Sequence, residues 1–227
     1  MFKIYKLIFF LTYIFLSSSS NAHIKHYSDL NSIVFDIYRN NKHIGQHIFS
    51  FEKEGNKVLV RSEIDFKIIK LGVTLYKYHA EGIETYFDGK LVKFTSKTNQ
   101  NGKSKYVNIT LQNNEYLIDG SSYKGKAPAE FLIGTWWNHS IVKAPAQISA
   151  VSGRIIKQKV TFLGTETINI RGKDHKTLHF NFLSNDVKLD KDKKLNTDVW
   201  YDEKTLNWVK ASFRKKGNWE YRLESIK

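Results

Sequence analysis

"NKVLVRSEIDFKI" fills residues 56–68, and every second side chain in it is apolar or small. Val58, Val60, Ser62, Ile64, Phe66 and Ile68 fall on one side, with Arg61, Glu63, Asp65 and Lys67 on the other. A strand turns successive side chains to opposite faces, so this period of two marks a strand buried on one face. Strands of that kind build antiparallel sheets.

The pattern recurs along the chain. In "YVNITL", residues 106–111, Val107, Ile109 and Leu111 oppose Tyr106, Asn108 and Thr110. In "TLHFNF", residues 177–182, Leu178, Phe180 and Phe182 oppose Thr177, His179 and Asn181. Turn signals separate such runs, among them Asn40-Asn41, Asp88-Gly89, Asn101-Gly102 and Asn113-Asn114. These residue types tolerate the positive φ angles of tight hairpins. The spacing predicts about eleven strands, most of them hairpin-connected.

Only "APAEFLIGTWW", residues 127–137, reads as a helix, with Pro128 where a first turn tolerates it. One short helix cannot cover a sheet of this size. The expected fold is therefore all-β: a curled antiparallel sheet that shelters its own apolar face as a half-barrel, a barrel or a sandwich. Residues 120–128 and 143–154 interrupt the alternation, so residues 23–227 read as one β-rich domain or as two sub-sheets divided near 120–154. The charged run "KLDKDKKLN", residues 188–196, reads as a solvated hairpin loop.

The N-terminal stretch has its own grammar. Lys3 and Lys6 precede an apolar run at residues 7–16, four serines and the small-x-small site Ser20-Asn21-Ala22. That order predicts a cleaved secretory signal over residues 1–22, with an apolar run too short to span a bilayer. The chain has no cysteine, which excludes disulfides and a lipid-anchored lipoprotein. The expected destination is a bacterial periplasm or the exterior.

The formal charge of +14 falls to +12 once the two leader lysines are removed. Such an excess speaks to partners rather than to fold. For an exported chain, the expected partners are lipid or other anionic envelope components, not nucleic acid. A merely solvated lysine surface is the alternative.

One phrase occurs twice, as "TYFDGKLVKFTS" at residues 85–96 and "VWYDEKTLNWVKASF" at 199–213. Aromatics suit a half-buried pleat, and Asp88 and Asp202 suit the turns that follow. The phrase therefore reads as a strand-turn-strand shape, with Trp200 and Tyr201 as candidate ligand contacts if the two copies form a grip. Together with "VFDIYRNNKHIGQHIF", residues 34–49, the ending of the chain resembles a group of exported proteobacterial proteins known as a domain of unknown function. The closing hairpins are more distantly similar to periplasmic lipoprotein-carrier half-barrels. That resemblance implies a curled sheet whose concave face holds acyl chains, and it implies no catalytic residues.

No phosphate loop, nucleophile elbow or His-Glu-x-x-His motif occurs, so no catalytic residue and no cofactor are expected. His43 and His47, and likewise His175 and His179, lie four apart; on strands that is about 13 Å, too far to share a metal. Cleavage after Ala22 would make His23 the N-terminus, where amine and imidazole together can grip copper with His26 as a second donor. The densest aromatic cluster is "GTWWNHS", residues 134–140, where Trp136, Trp137 and His139 either line a ligand site or plug a β core. The leading expectation is a non-enzymatic periplasmic protein that binds an apolar or amphipathic envelope ligand. A structural or interaction module, and an enzyme acting on an envelope polymer, are the alternatives.

Overall fold

The computed structural model describes residues 27, 29–186 and 194–227. The expected leader, His23, His26 and most of the 188–196 run lie outside the described residues. Among the described residues fifteen strands form one sheet. Six long ones come first: β1 (Ser32–Arg39), β2 (Lys42–Glu54), β3 (Lys57–Lys70), β4 (Val73–Phe87), β5 (Lys90–Gln100) and β6 (Lys103–Gln112). Four shorter ones follow, β7 (Glu115–Gly120), β8 (Lys124–Pro128), β9 (Leu132–Ile133) and β10 (Ala146–Ile148). The last five are β11 (Ile155–Ile170), β12 (Lys173–Ser184), β13 (Asn196–Asp202), β14 (Trp208–Arg214) and β15 (Asn218–Ile226).

The sheet grows both ways from β1, through β2 to β8 on one side and from β15 back to β9 on the other. Its two edge strands, β8 and β9, are separated by residues 129–131 alone, so the chain itself ties the edges together. The sheet is curled but unclosed. Residues 149–153 lie across the seam, where Ser122 N donates to Ser152 O at 2.9 Å and Ser96 Oγ donates to Ala150 O at 2.5 Å. Gly120 permits that approach, since a β-carbon there would stand 2.6 Å from Ser152 O.

The alternating strands turn their apolar sides inward. Phe35, Phe49, Val60, Phe94, Val107, Ile109, Phe182 and Val199 belong to one buried cluster. A smaller cluster of Ile37, Phe66, Tyr78 and Ala80 fills the interior beside it, with Trp219 and Tyr221 packed against it. Burial of this kind stabilises by roughly 25 cal/mol per Å² of apolar surface.

The expected helix over residues 127–137 is absent. Ala127 lies in β8, Ile133 lies in β9, and the helical element among the described residues is a 3-10 turn at His139–Lys143. Leu132 and Ile133 pair in parallel with Gln147 and Ile148, and Gly134 N donates to Ile148 O at 2.9 Å. Those bonds to the wall take the place of helical ones. The strand count exceeds eleven because β8, β9 and β10 are too short to display an alternation.

The doubled phrase builds two bulged hairpins. Tyr86 pairs with Leu91 and Tyr201 with Trp208, each next to a register shift. The matching residues are thus Tyr86 and Tyr201, one position out of step with the Tyr-Phe-Asp and Trp-Tyr-Asp triplets. Tyr201 points inward and Trp200 outward. On the outer face, the tip of the β11–β12 hairpin folds back over β14, β15 and β1. Ile170 joins buried Val209 and Leu223 in one cluster, and Arg171 Nη1 donates to Asp36 Oδ2 at 3.0 Å.

Candidate functional site

The segment from Gly134 to Ser149 runs through the interior as a plug, and buried polar side chains fasten it to the wall. Glu84 on β4 is 2% exposed. Its Oε1 accepts from Thr135 Oγ1 and from Trp137 Nε1, each at 2.9 Å, and its Oε2 accepts from the Tyr86 hydroxyl. Burial raises the Glu84 pKa, and these three donors pull it back in part. Gln158 on β11 holds the far side of the plug. Its Nε2 donates to Ile141 O at 3.1 Å and Ala144 O at 3.0 Å, while its Oε1 accepts from Gln147 Nε2 at 2.7 Å.

Beside the plug is a cavity of about 230 Å³. Its aromatic wall comprises His47 of β2, Tyr78 of β4, Trp136 of the plug, Trp208 of β14 and Tyr221 of β15. The Trp136 and Trp208 rings meet edge-on at 5.7 Å, and Trp208 lies 5.6 Å from Tyr221. His47 sits 6.1 Å from Trp208 and 5.9 Å from Tyr221. Polar atoms in this wall are left over. Both ring nitrogens of His47 and the indole nitrogens of Trp136 and Trp208 are buried without a hydrogen-bond partner among the described residues. A buried polar atom left unpaired costs about 1–3 kcal/mol, so such a cluster needs a reason. Burial alone drives the His47 pKa down to about 3, and the ring is neutral.

The residues singled out in the sequence divide among three places. Trp136 lines the cavity with φ at +60°, and its carbonyl accepts from the Tyr201 hydroxyl at 3.0 Å. Trp137 is part of the plug's anchor, edge-on to Tyr27, Phe51 and Tyr86. His139 and Tyr201 pack together in the core at 4.8 Å, and His139 N donates to the Tyr27 hydroxyl. Trp200 is on the outer face, stacked on His179 at 4.2 Å, with its Nε1 donating to Glu166 Oε1 at 2.7 Å. Thus "GTWWNHS" supplies both a plug and a cavity wall, while Trp200 stands apart from either.

In the sequence His47 stands out only as half of a histidine pair too far apart to share a metal, and Trp208 and Glu84 are not marked as site residues. His47 occupies an inward position of its strand with Phe49 and Phe51, and Glu84 an inward position next to Tyr86. A polar residue in an otherwise apolar series was the available signal. Among the described residues no group of three or more His, Asp or Glu side chains could hold a metal ion.

The fold and site define a barrel-like, all-β protein with an internal plug and an aromatic cavity. Residues 35–224 match the family described as a domain of unknown function, DUF6134, and the chain belongs to it. A β-barrel-like protein of another domain of unknown function, DUF1849, from Brucella abortus shares the fold at a TM-score of 0.57. The two are 10% identical over 86% of this chain and 95% of that one. A protein with a YmcC-like fold from Bacteroides fragilis aligns over 86% of this chain and 94% of its own, at 11% identity and a TM-score of 0.38. No curated protein matches the chain. Among the described residues no helix is long and apolar enough to cross a membrane.

Proposed function

We propose that the chain is a non-enzymatic binding protein that holds a small amphipathic ligand inside its curled sheet. The observation that carries this reading is the cavity whose His47, Trp136 and Trp208 nitrogens lack partners. Indole nitrogens only donate, and a neutral imidazole offers one donor and one acceptor. A matching ligand presents acceptor oxygens, as a carboxylate or ester head does, to these three side chains. Its apolar part then lies along Tyr78, Phe94, Ile156 and Tyr221, which also line the space. At about 30 Å³ per water-sized group, the volume suits a ligand of roughly eight such groups, the scale of a medium-length acyl chain.

The binding role, rather than a catalytic one, is supported by the isolation of His47, whose ring nitrogens meet no carboxylate among the described residues and which burial holds neutral. The proposed location is the periplasm, supported by the leader-like residues 1–22 and tested by cell fractionation. Titrating octanoate while following tryptophan fluorescence tests the site. A saturable 1:1 change that weakens in Trp136→Phe and in Trp208→Phe supports it. A linear, unsaturable response refutes it.

A further inference from the structure

One rim of the barrel differs from the other in charge. Four neighbouring turns crown it, at residues 39–42, 67–77, 100–105 and 214–218, following the sheet order from β6 to β14. They touch one another: Asn40 N donates to Asn218 O at 2.7 Å, and Asn101 N donates to Lys77 O at 2.8 Å. Together these turns carry ten basic residues and no acidic one. The turns of the opposite rim, at residues 54–57, 87–90, 112–115, 170–174 and 202–207, carry six acidic and five basic residues. These four turns therefore carry charge of one sign, whereas the five turns of the opposite rim are mixed.

The same rim bears an apolar projection. β2 pairs with β3 only as far as Phe66, and β5 pairs with β4 only as far as Tyr78. Residues 67–76 thus have no strand partner but each other, and the hairpin runs roughly 13 Å past the end of β5 at about 3.3 Å per residue. On its other side it diverges from residues 42–44 of β2 across a cleft lined by Arg39, Lys42, His43, Lys67 and Ile69. At its tip Leu71 is 94% exposed, Val73 61%, Leu75 54% and Ile69 46%. Lys67, Lys70 and Lys77 flank these side chains. Leu71 occupies a turn position with φ at +51°, where Asn or Gly is the usual choice. Exposed apolar residues set in a ring of one charge are the features of a membrane-surface contact.

We propose that this rim docks the protein on an anionic bilayer surface, with the β3–β4 tip inserted among the headgroups and the basic turns above them. The occupant follows from complementarity: a ring of lysines requires anionic groups, and a projecting apolar tip requires an adjoining apolar phase. A lipid surface supplies both, whereas a soluble acidic polymer supplies only the first. The outward faces of the strands are largely polar, so contact is confined to the rim and the barrel does not span the bilayer. This inference stands whether or not the cavity holds a ligand.

The test is sedimentation of the full chain with vesicles of phosphatidylethanolamine and phosphatidylglycerol, against vesicles of phosphatidylcholine alone, at low and high salt. The N-terminal apolar run is common to every variant, so differences among variants report on the rim. The expected result is binding to the anionic vesicles that weakens with salt, falling at least about tenfold in the double variant Leu71→Asp, Leu75→Asp. Lys67→Glu with Lys70→Glu produces a comparable loss. Both variants alter exposed side chains and retain the wild-type melting temperature. Unchanged binding to anionic vesicles in the tip variant, or tighter binding to soluble polyphosphate than to anionic vesicles, overturns the proposal.

Discussion

Trp137 Nε1 donates to Glu84 Oε1 across 2.9 Å, and this bond joins a plug that enters at the sheet's edge to a strand on the far wall. Thr135 and Tyr86 complete the same carboxylate, so one acid satisfies three buried donors. Glu84→Ala leaves all three unpaired in a closed interior, and a loss of about 3–5 kcal/mol is expected in urea unfolding. Glu84→Gln keeps an acceptor oxygen and loses less. Because burial raises the carboxyl's pKa, its contribution is fully present below the ordinary value of 4.5 and is lost as pH rises through the folded value.

His47 has the opposite sign. Its folded pKa of about 3 lies below the ordinary 6.5, so the stability tied to the neutral ring is present above 6.5 and is lost as pH falls toward 3. The slope is about 1.4 kcal/mol per pH unit within that window. Urea unfolding of the wild type between pH 6.5 and about pH 4 displays this loss, and His47→Phe flattens it. An equal slope in the variant would place the titration elsewhere.

Trp200 serves the outer face. It stacks on His179, donates to Glu166 and has Lys210 Nζ 4.8 Å from its ring centre. Trp200→Ala is expected to lower stability by about 1–3 kcal/mol while leaving octanoate affinity within twofold of wild type. Differential scanning fluorimetry and the fluorescence titration separate these two effects.

Gly120 governs the seam. A methyl group there meets the Ser152 carbonyl at 2.6 Å, and that carbonyl also accepts from Ser122. Gly120→Ala should cost about 1–3 kcal/mol through overpacking. Hydrogen exchange should rise first at Ser122 and in residues 149–153, and unchanged exchange there would contradict the role given to the seam.

Much of the curled sheet is legible in the sequence because β2 to β6 are long enough for a period of two to repeat. Residues 56–68 show it without interruption, and Val60 and Phe66 are buried as that period requires. The Asp88-Gly89 and Asn101-Gly102 turns likewise adopt the positive φ angles their residue types favour. The plug was hidden because tertiary pairing decides its course. "APAEFLIGTWW" has a helical spacing, but Leu132 and Ile133 find partners in Gln147 and Ile148, residues no local pattern connects to them.

The candidate site was half legible for the same reason. Trp136 announced itself as one of two adjacent tryptophans, which cannot share a face. His47 and Trp208 come from strands separated by most of the chain, and they meet only because β1 joins β2 to β15. Trp200 and Tyr201 looked like a pair in sequence, yet strand geometry sends neighbours to opposite faces.

The claim on which this account rests is that the aromatic cavity is an occupied binding site in the cell. Native mass spectrometry of the protein isolated from its own source tests it most directly. The account predicts a 1:1 adduct of roughly 100–250 Da that is released on unfolding and is depleted when His47 and Trp208 are both replaced by Phe, in keeping with the volume available. A protein that emerges at its bare chain mass, or whose adduct survives that double replacement undiminished, would contradict it.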